Sequence, residues 1–501
     1  MTSDAPKSVI ANLMSSSTWA GHMYAGGWRK SQNGVANITD KATDEILATV
    51  ANASIDDVRD ACAAAVTAGQ KWAAVPAKDR AAIMSRAGEI LDSSKDEISY
   101  WIVREAGSSR FKAQREVQTS KDCLDHAAAV ASIPLREVLR DDAGMLSYTE
   151  RIPLGVVGII GPLNFPLSLG LRMVAPALAM GNAVVLKPSL NTAVSGGILV
   201  ARIFEEAGLP EGVLQVLPAG DEAGVALVED PNVSMIAFTG STAVGRRIGA
   251  AAGAMLKRTS LELGGKNPFI VLPDADVEAA ARAGTFSAFL NQGQVCVAAG
   301  IHFVHETQFD RYAARVAQLA KTIKVGDPFL EQVGLGPLIS EKQRDRVHAI
   351  VQEAIHAGAE LLEGGSFTGK FYRPTVLTKV SQTSRAFKEE IFGPVAVIVS
   401  FKEESEAIKL ANKNEYGLAA SIFGEEEHAR KVGKQIETGI LHINDTTVMN
   451  DVKARFGGIK ASGNLSRFGG NSDVEEYTTW QWITETYRPV NYEIPHEPAV
   501  W

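Results

Sequence analysis

The chain has 501 residues, 46% hydrophobic and 22% charged, with a formal net charge of −8. That length exceeds one simple core, so two or three packed units are expected, and the mild acidity gives no general pull toward nucleic acid or anionic lipid. Cys62, Cys123 and Cys296 are the only cysteines and share no metal-type spacing. This argues against a disulfide framework or a metal site and for the reducing cytoplasm.

The start, Met1 to Met23, is polar and Ser-rich, without the charged head and apolar run of a signal peptide. No apolar stretch is long enough to span a bilayer. Ile55–Ala73 and Lys78–Leu91 repeat apolar residues at helical spacing. Met145–Arg151 alternates like an exposed strand. From Gly155 short apolar runs alternate with helical stretches. Strands are expected at Gly155–Gly161, Ala183–Lys187, Val213–Leu217 and Met235–Thr239. Helices are expected at Ala193–Ala207, Glu222–Glu229 and Ser241–Ala252. A second series follows near Asn267: strand Pro268–Leu272, helix Asp276–Leu290, strand Ile301–Val304, helix Glu341–Ala357, strand Val395–Phe401 and helix Glu404–Asn412. Strands alternating with helices imply parallel sheets covered on both faces, which bind nucleotides at their carboxyl ends. Tyr477–Thr486 alternates again and carries two Trp residues. Two bare apolar strands invite association. They could pair only within the chain, but pairing between subunits is preferred.

Five motifs could carry chemistry. GPLNFPL (Gly161–Leu167) follows a buried strand. Its prolines stiffen a loop in which Asn164 could donate to a developing oxyanion, or simply make an Asx turn. Lys187 in LKPS ends a strand and could bind ribose hydroxyls or a 2′-phosphate, or be solvated. FTGSTAVG (Phe238–Gly245) puts Gly240, Thr242 and Gly245 where a strand turns into a helix. Such a turn offers free N–H groups to phosphate, or it is a plain capped turn. Glu262 in LELGGK lies between apolar neighbours, where a raised pKa would suit a general base. Its alternative is a surface salt bridge. Cys296 in NQGQVCVAA could be a nucleophile toward a carbonyl or an inert buried hydrophobe.

Together these segments resemble the aldehyde dehydrogenase superfamily. PLNFPL, LKPS, FTGSTAVG, LELGGK, GQVC, EEIFGPV (Glu389–Val395) and RFGGIKASG (Arg455–Gly463) occur in its order and spacing, from about Trp28 to about Thr484. The resemblance implies an α/β fold with a Rossmann-like cofactor domain (20–130 and 151–264), an α/β catalytic domain (265–464) and a small β oligomerisation arm (131–150 and 474–490). The arm would join Ile133–Glu150 to Tyr477–Thr486. It implies Cys296 as nucleophile, Glu262 as the base that activates water, and Asn164 with the Cys296 N–H as oxyanion hole. NAD or NADP would be held by Ile160, Lys187, Gly220, Gly240, Ser241, Thr242, Gly245, Leu263, Glu390 and Phe392. No metal is implied. The partners are a small aldehyde and further copies of the chain, as homodimer or homotetramer.

Two positions depart from the commonest family pattern. Leu163 stands where a Trp usually precedes the Asn, which alters packing more than chemistry. Leu190 replaces the acid that usually follows K-P-S. Losing that acid removes its repulsion of a 2′-phosphate, so NADP should be tolerated beside NAD.

Within the superfamily the resemblance runs nearest to bacterial benzaldehyde and vanillin dehydrogenases. GGWR (Gly26–Arg29), YWIVREAG (Tyr100–Gly107), LRMVAPALA (Leu171–Ala179), LHINDT (Leu441–Thr446) and SRFGG (Ser466–Gly470) carry it. The implied substrate pocket is Phe165, Leu169, Arg172, Val295, Val297 and Phe456, mostly apolar and suited to a flat ring. Arg172 could meet a substrate carboxylate, although a structural ion pair is the preferred reading. Aliphatic or semialdehyde substrates rank second. An inert structural homologue would be expected to lose the nucleophile, the base or the cofactor contacts, and all are present. A CoA-acylating enzyme would not need Glu262.

Overall fold

The structure is a computed structural model that describes residues 12–142 and 144–487. Residues 1–11 of the polar start and 488–490 of the expected arm lie outside the described residues.

Strands β1 (Met23–Ala25) and β2 (Trp28–Arg29) are followed by a hairpin, β3 (Val35–Thr39) and β4 (Ile46–Ala51). Four helices follow, Ile55–Ala73, Ala77–Ser93, Lys95–Ala106 and Arg110–Val130. The first starts where its periodicity does because Ser54 accepts from Asp57 N–H while Asp57 accepts from Ser54 N–H, a capping box. Strands β5 (Arg136–Asp141) and β6 (Met145–Pro153) leave the body, and the chain returns through β7 (Val156–Ile160), β8 (Ala183–Lys187), β9 (Leu214–Val216), β10 (Val233–Thr239) and β11 (Arg258–Glu262).

The first sheet has the order β11-β10-β7-β8-β9-β1-β2. Its five strands from β11 to β9 are parallel, and β1 is antiparallel to β9. The chain lays β7, β8 and β9 to one side, then returns to place β10 and β11 on the other side of β7. The carboxyl ends of β7 and β10 therefore flank a topological switch point, the place where such sheets bind ligands.

The second sheet is built the same way. Its strands are β12 (Asn267–Val271), β13 (Ala299–His305), β14 (Glu360–Glu363), β15 (Thr375–Thr378), β16 (Val395–Phe401), β17 (Ala419–Phe423) and β18 (Ile440–Ile443), in the order β14-β15-β16-β13-β12-β17-β18. Only β14 runs antiparallel. After it, Val452, Phe468, Val474 and Tyr477 pack back into the first core.

The helix Pro166–Ala179 was not signalled by periodicity. All its residues but Leu169 are buried, so no polar stripe marks it, and Pro166 sits at its first turn where a missing N–H costs nothing. The expected helix Ala193–Ala207 begins instead as a π-turn over Val194–Ile198 and becomes α-helical at Leu199–Glu206. The buried Glu105 carboxylate accepts from Val194 N–H at 2.8 Å and Ser195 N–H at 2.6 Å.

The last strand, β19, is Thr478–Thr486. Tyr477 belongs not to it but to a short helix, Ser472–Tyr477. β6 is not a bare edge. It is the middle of a three-stranded antiparallel sheet, β19-β6-β5, with all nine residues of β19 in register against it. The two alternating strands therefore pair with each other within the chain, as the family resemblance implied. The outer edges are β5, exposed throughout, and β19, with Trp480 and Trp482 turned to the surface.

Candidate active site

A cavity of about 410 Å³ opens at the switch point. Its walls are the residues just past three strand ends: Gly161–Asn164 after β7, Gly240 and Ser241 after β10, and Leu263 and Gly264 after Glu262, the last residue of β11. Cys296, Gln343, Arg346, Glu390 and Phe392 close it from the second half. Ser241 caps the helix Thr242–Ala254, accepting from Val244 N–H, so the first-turn N–H groups of that helix lie beside the cavity. Gly245 is forced by packing: a Cβ there would meet Leu263 Cδ2 at 2.3 Å. This arrangement suits a phosphate group.

Five of the expected cofactor contacts, Ile160, Lys187, Gly220, Thr242 and Gly245, do not line this cavity. Ile160 is in register with Lys187 and Phe238. Thr242 donates to the Ala461 carbonyl at 3.0 Å, and Gly245 backs Leu263. Gly220 caps the helix Asp221–Glu229 with open space beyond its Cα. Lys187 is buried rather than solvated, and its ammonium has no hydrogen bond or ion pair among the described residues. Burial pulls its pKa down, with Asp221 opposing.

Asn164 is buried, and its side chain donates to the Gln294 carbonyl at 3.0 Å, across the domain junction rather than into an Asx turn. Its own carbonyl accepts from Lys112 Nζ at 2.7 Å and Asn291 Nδ2 at 3.3 Å. Lys112 in turn pairs with Glu116 at 2.5 Å, and the other Glu116 oxygen accepts from the Leu167 and Ser168 N–H groups. One buried ion pair thus fixes both the Asn164 loop and the start of the next helix. Nothing local in the sequence singled out this pair, because an i,i+4 Lys–Glu pair reads as a surface feature.

Cys296 follows a tight turn. Asn291 and Gln292 adopt φ of 51° and 58°, and Gly293 follows at 66°, where a Cβ would meet the Gly393 carbonyl at 2.1 Å. Burial pushes the Cys296 thiol up to about 12, with the Glu390 and Glu262 charges adding. Glu262 is 3% exposed and neither carboxylate oxygen has a hydrogen-bond partner among the described residues. Burial raises it well above the ordinary carboxyl value. Arg467 and Arg172 oppose, and Glu476 adds. It is no surface salt-bridge residue. Burial also brings Glu390 up to about 7, against a bond from the Gly265 N–H at 3.3 Å. Its loop is held from the helix Glu341–His356. Arg346 donates to the Glu390 and Ile391 carbonyls and Gln343 to that of Phe392, whose φ is 54°. Neither Gln343 nor Arg346 was legible in the sequence, since both act on a loop some fifty residues on.

A second, smaller cavity of about 110 Å³ is lined by all six expected pocket residues, Phe165, Leu169, Arg172, Val295, Val297 and Phe456. Lys112, Arg115, Glu116, Thr119 and Asn450 also line it, so it is more polar than expected. Cys296 is the single residue that lines both cavities. Arg172 has no ion pair among the described residues, contrary to the preferred reading. It donates to Asn450 Oδ1 at 2.6 Å and to the Asp451 and Ala454 carbonyls, and lies 5.0 Å from the Phe456 ring centroid. Its Nε is buried without a partner.

Among the described residues no group of three or more His, Cys, Asp or Glu could hold a metal, and no helix is long and apolar enough to cross a membrane. The aldehyde dehydrogenase family model matches residues 28–483. A benzaldehyde dehydrogenase [NAD(+)] of Pseudomonas putida is 47% identical over 481 residues, covering 95% of this chain and 98% of that one. A vanillin dehydrogenase of Amycolatopsis is 46% identical over 468 residues, covering 93% and 96%. Among solved structures, an NADP-dependent enzyme of E. coli superposes with a TM-score of 0.91 at 32% identity, covering 94% of this chain and 99% of that one.

Proposed function

Since the chain belongs to the aldehyde dehydrogenase family, we propose that it oxidises an aromatic aldehyde of the benzaldehyde or vanillin type to the carboxylic acid with NAD or NADP, through a thioester on Cys296. The observation that carries this reading is that one sulfur borders two cavities of different character. The larger has a helix N-terminus and the ends of parallel strands, which fit a dinucleotide. Gly240, Ser241, Leu263, Glu390 and Phe392 would hold it at the wall, with Ile160, Lys187, Gly220, Thr242 and Gly245 shaping the bed behind. The smaller has Phe165, Leu169, Val295, Val297 and Phe456, which fit a ring. When bound, the dinucleotide supplies a hydride acceptor.

The chain's own residues do the rest. Cys296, having given up its proton, adds as a thiolate to the aldehyde carbon, and the carbonyl π pair moves onto oxygen. The Asn164 amide and the Cys296 N–H stabilise the oxyanion. Loss of hydride leaves the thioester. Glu262 then removes a proton from water, the hydroxide adds to the thioester carbon, and the C–S bond breaks to release the acid. Burial raises that carboxyl well above its ordinary value, which makes it a stronger base than a solvated carboxylate once ionised.

We assign residues 20–130 and 151–264 to cofactor binding, 265–464 to catalysis, and 131–150 with 474–490 to an arm that joins copies into a homodimer or homotetramer. The bare β5 and β19 edges support the arm reading. The three unpaired cysteines support a reducing, cytoplasmic setting. Leu190 in place of an acid supports use of NADP beside NAD. A second substrate reading, an aldehyde bearing a carboxylate, has one observation in its favour: Arg172 lines the small cavity with no carboxylate partner among the described residues.

Steady-state kinetics test these choices. Benzaldehyde and vanillin should give the highest kcat/KM in a panel that includes succinic semialdehyde, with reduced dinucleotide formed from both NAD and NADP. Preference for succinic semialdehyde would promote the second reading. Cys296→Ala should abolish turnover, and normal activity in that variant would overturn the mechanism.

A further inference from the structure

The Arg455–Gly463 motif and the residues after it wrap around Glu262. A bridge between Glu262 and Gly463 lies on one side, with the Leu263 N–H donating to the Ser462 carbonyl. On the other side Phe456 and Phe468 exchange backbone hydrogen bonds at 2.8 Å each, which sets Gly457 opposite Arg467. Gly457 leaves a gap there. A Cβ on it would lie 2.8 Å from Glu262 Oε1 and 2.8 Å from Arg467 Cδ. The carboxylate and the stem of the arginine therefore both border the space above Gly457, together with the Ser466 carbonyl. Arg467 is not spent on another acid. Its guanidinium donates to the Gly458 and Ser466 carbonyls and forms no ion pair among the described residues.

We propose that Arg467 is a positioning residue for the hydrolytic half of the reaction: across the gap at Gly457 its cation biases Glu262 toward the carboxylate that deprotonates water. The inference rests on the reading of Glu262 as the base. A carboxylate buried this deeply is otherwise held protonated by desolvation, and a protonated acid takes no proton from water. The other charged or titratable groups that face Glu262 are Arg172 from the helix Pro166–Ala179, Glu476 and Tyr477 from the short helix before β19, and Cys296. Glu476 opposes Arg467 but is partly neutralised by Arg258 at 3.4 Å. Its Oε1 also accepts from the Arg467 N–H at 3.4 Å.

The test follows decay of the Cys296 acyl adduct against pH, by mass spectrometry of the intact chain after mixing with one equivalent each of benzaldehyde and oxidised dinucleotide. In Arg467→Met the midpoint for hydrolysis should move up by about one pH unit, as for loss of one opposite charge near a carboxylate, while adduct formation keeps its rate. Arg467→Lys, which keeps the cation, should restore most of the midpoint and guards against a folding defect. An unmoved midpoint in Arg467→Met, or an equal move in Arg467→Lys, would overturn the proposal. Glu262→Gln reports separately on the base: its adduct should persist at every pH, and hydrolysis at the parent rate there would remove the base reading itself.

Discussion

At the scale of single residues, the site is poised rather than charged. Burial and two neighbouring acids hold the Cys296 thiol near 12, so the free protein should carry little thiolate at neutrality. Iodoacetamide should modify Cys296 slowly near neutral pH and faster at each step up to about pH 10. A plateau reached at neutral pH would contradict the burial argument. Asn164 has one amide hydrogen committed to the Gln294 carbonyl, which leaves the other for an oxyanion. Asn164→Ala should lower kcat by about 10²–10³ with little change in dinucleotide affinity, measured by steady-state kinetics and titration. Cys296, Glu262 and Asn164 could be read from the sequence because short, ordered motifs carry them. Lys112, Glu116, Gln343, Arg346 and Arg467 could not, because each acts on a partner that only tertiary folding brings near. Arg172 was read the wrong way for the same reason: whether a buried guanidinium meets an acid or a row of carbonyls is decided by a loop nearly three hundred residues on.

At the scale of elements, several amphipathic helices and the core strands announced themselves, whereas the helix buried on every side did not. Ile55–Ala73 was legible through its stripe and capping box. Pro166–Ala179 was not, since a helix apolar all round lacks the period that betrays it. The π-turn at Val194–Ile198 had no signal either. It is held by Glu105, whose carboxylate caps two N–H groups and the Ser195 hydroxyl. Glu105→Ala should strand those donors and cost about 2–4 kcal/mol in urea unfolding, with Glu105→Gln milder. A loss within experimental error would refute the capping role. A second clasp joins three segments around the second sheet. His428 meets Asp274 and Glu404 at 2.7 Å each, and its pKa is raised, chiefly by the hydrogen bond to Asp274. A histidine raised in the folded state stabilises while the unfolded form would still be protonated, and loses that contribution as pH climbs through the folded value. The gap in Tm between the parent and His428→Gln should therefore be wider near pH 6 than near pH 9. An equal gap at both would mean that the clasp does not depend on charge.

At the scale of the whole molecule, two seven-stranded sheets of similar construction and one three-stranded ribbon form the main β structure of the described residues. The alternation of strands and helices made the two-sheet plan legible in advance. The ribbon's internal pairing was legible only through the family resemblance, because β6 and β19 lie more than three hundred residues apart and alternation alone does not choose a partner. The ribbon leaves Val138 and Leu139 each 56% exposed and Trp482 70% exposed. Apolar side chains concentrated on an unpaired sheet edge mark a contact surface. Trp482→Glu should lower the association state in sedimentation velocity while the isolated subunit keeps its circular dichroism. An unchanged sedimentation coefficient would remove the arm from the assembly.

The sulfur shared by two separately walled chambers has a kinetic corollary. If ring and dinucleotide bind as proposed, they would approach the reacting atom from different cavities, and the acid could leave while its companion stays seated. A blocker wedged among Phe165, Leu169 and Phe456 would then compete with the aldehyde alone, and the dinucleotide would continue to bind beside it.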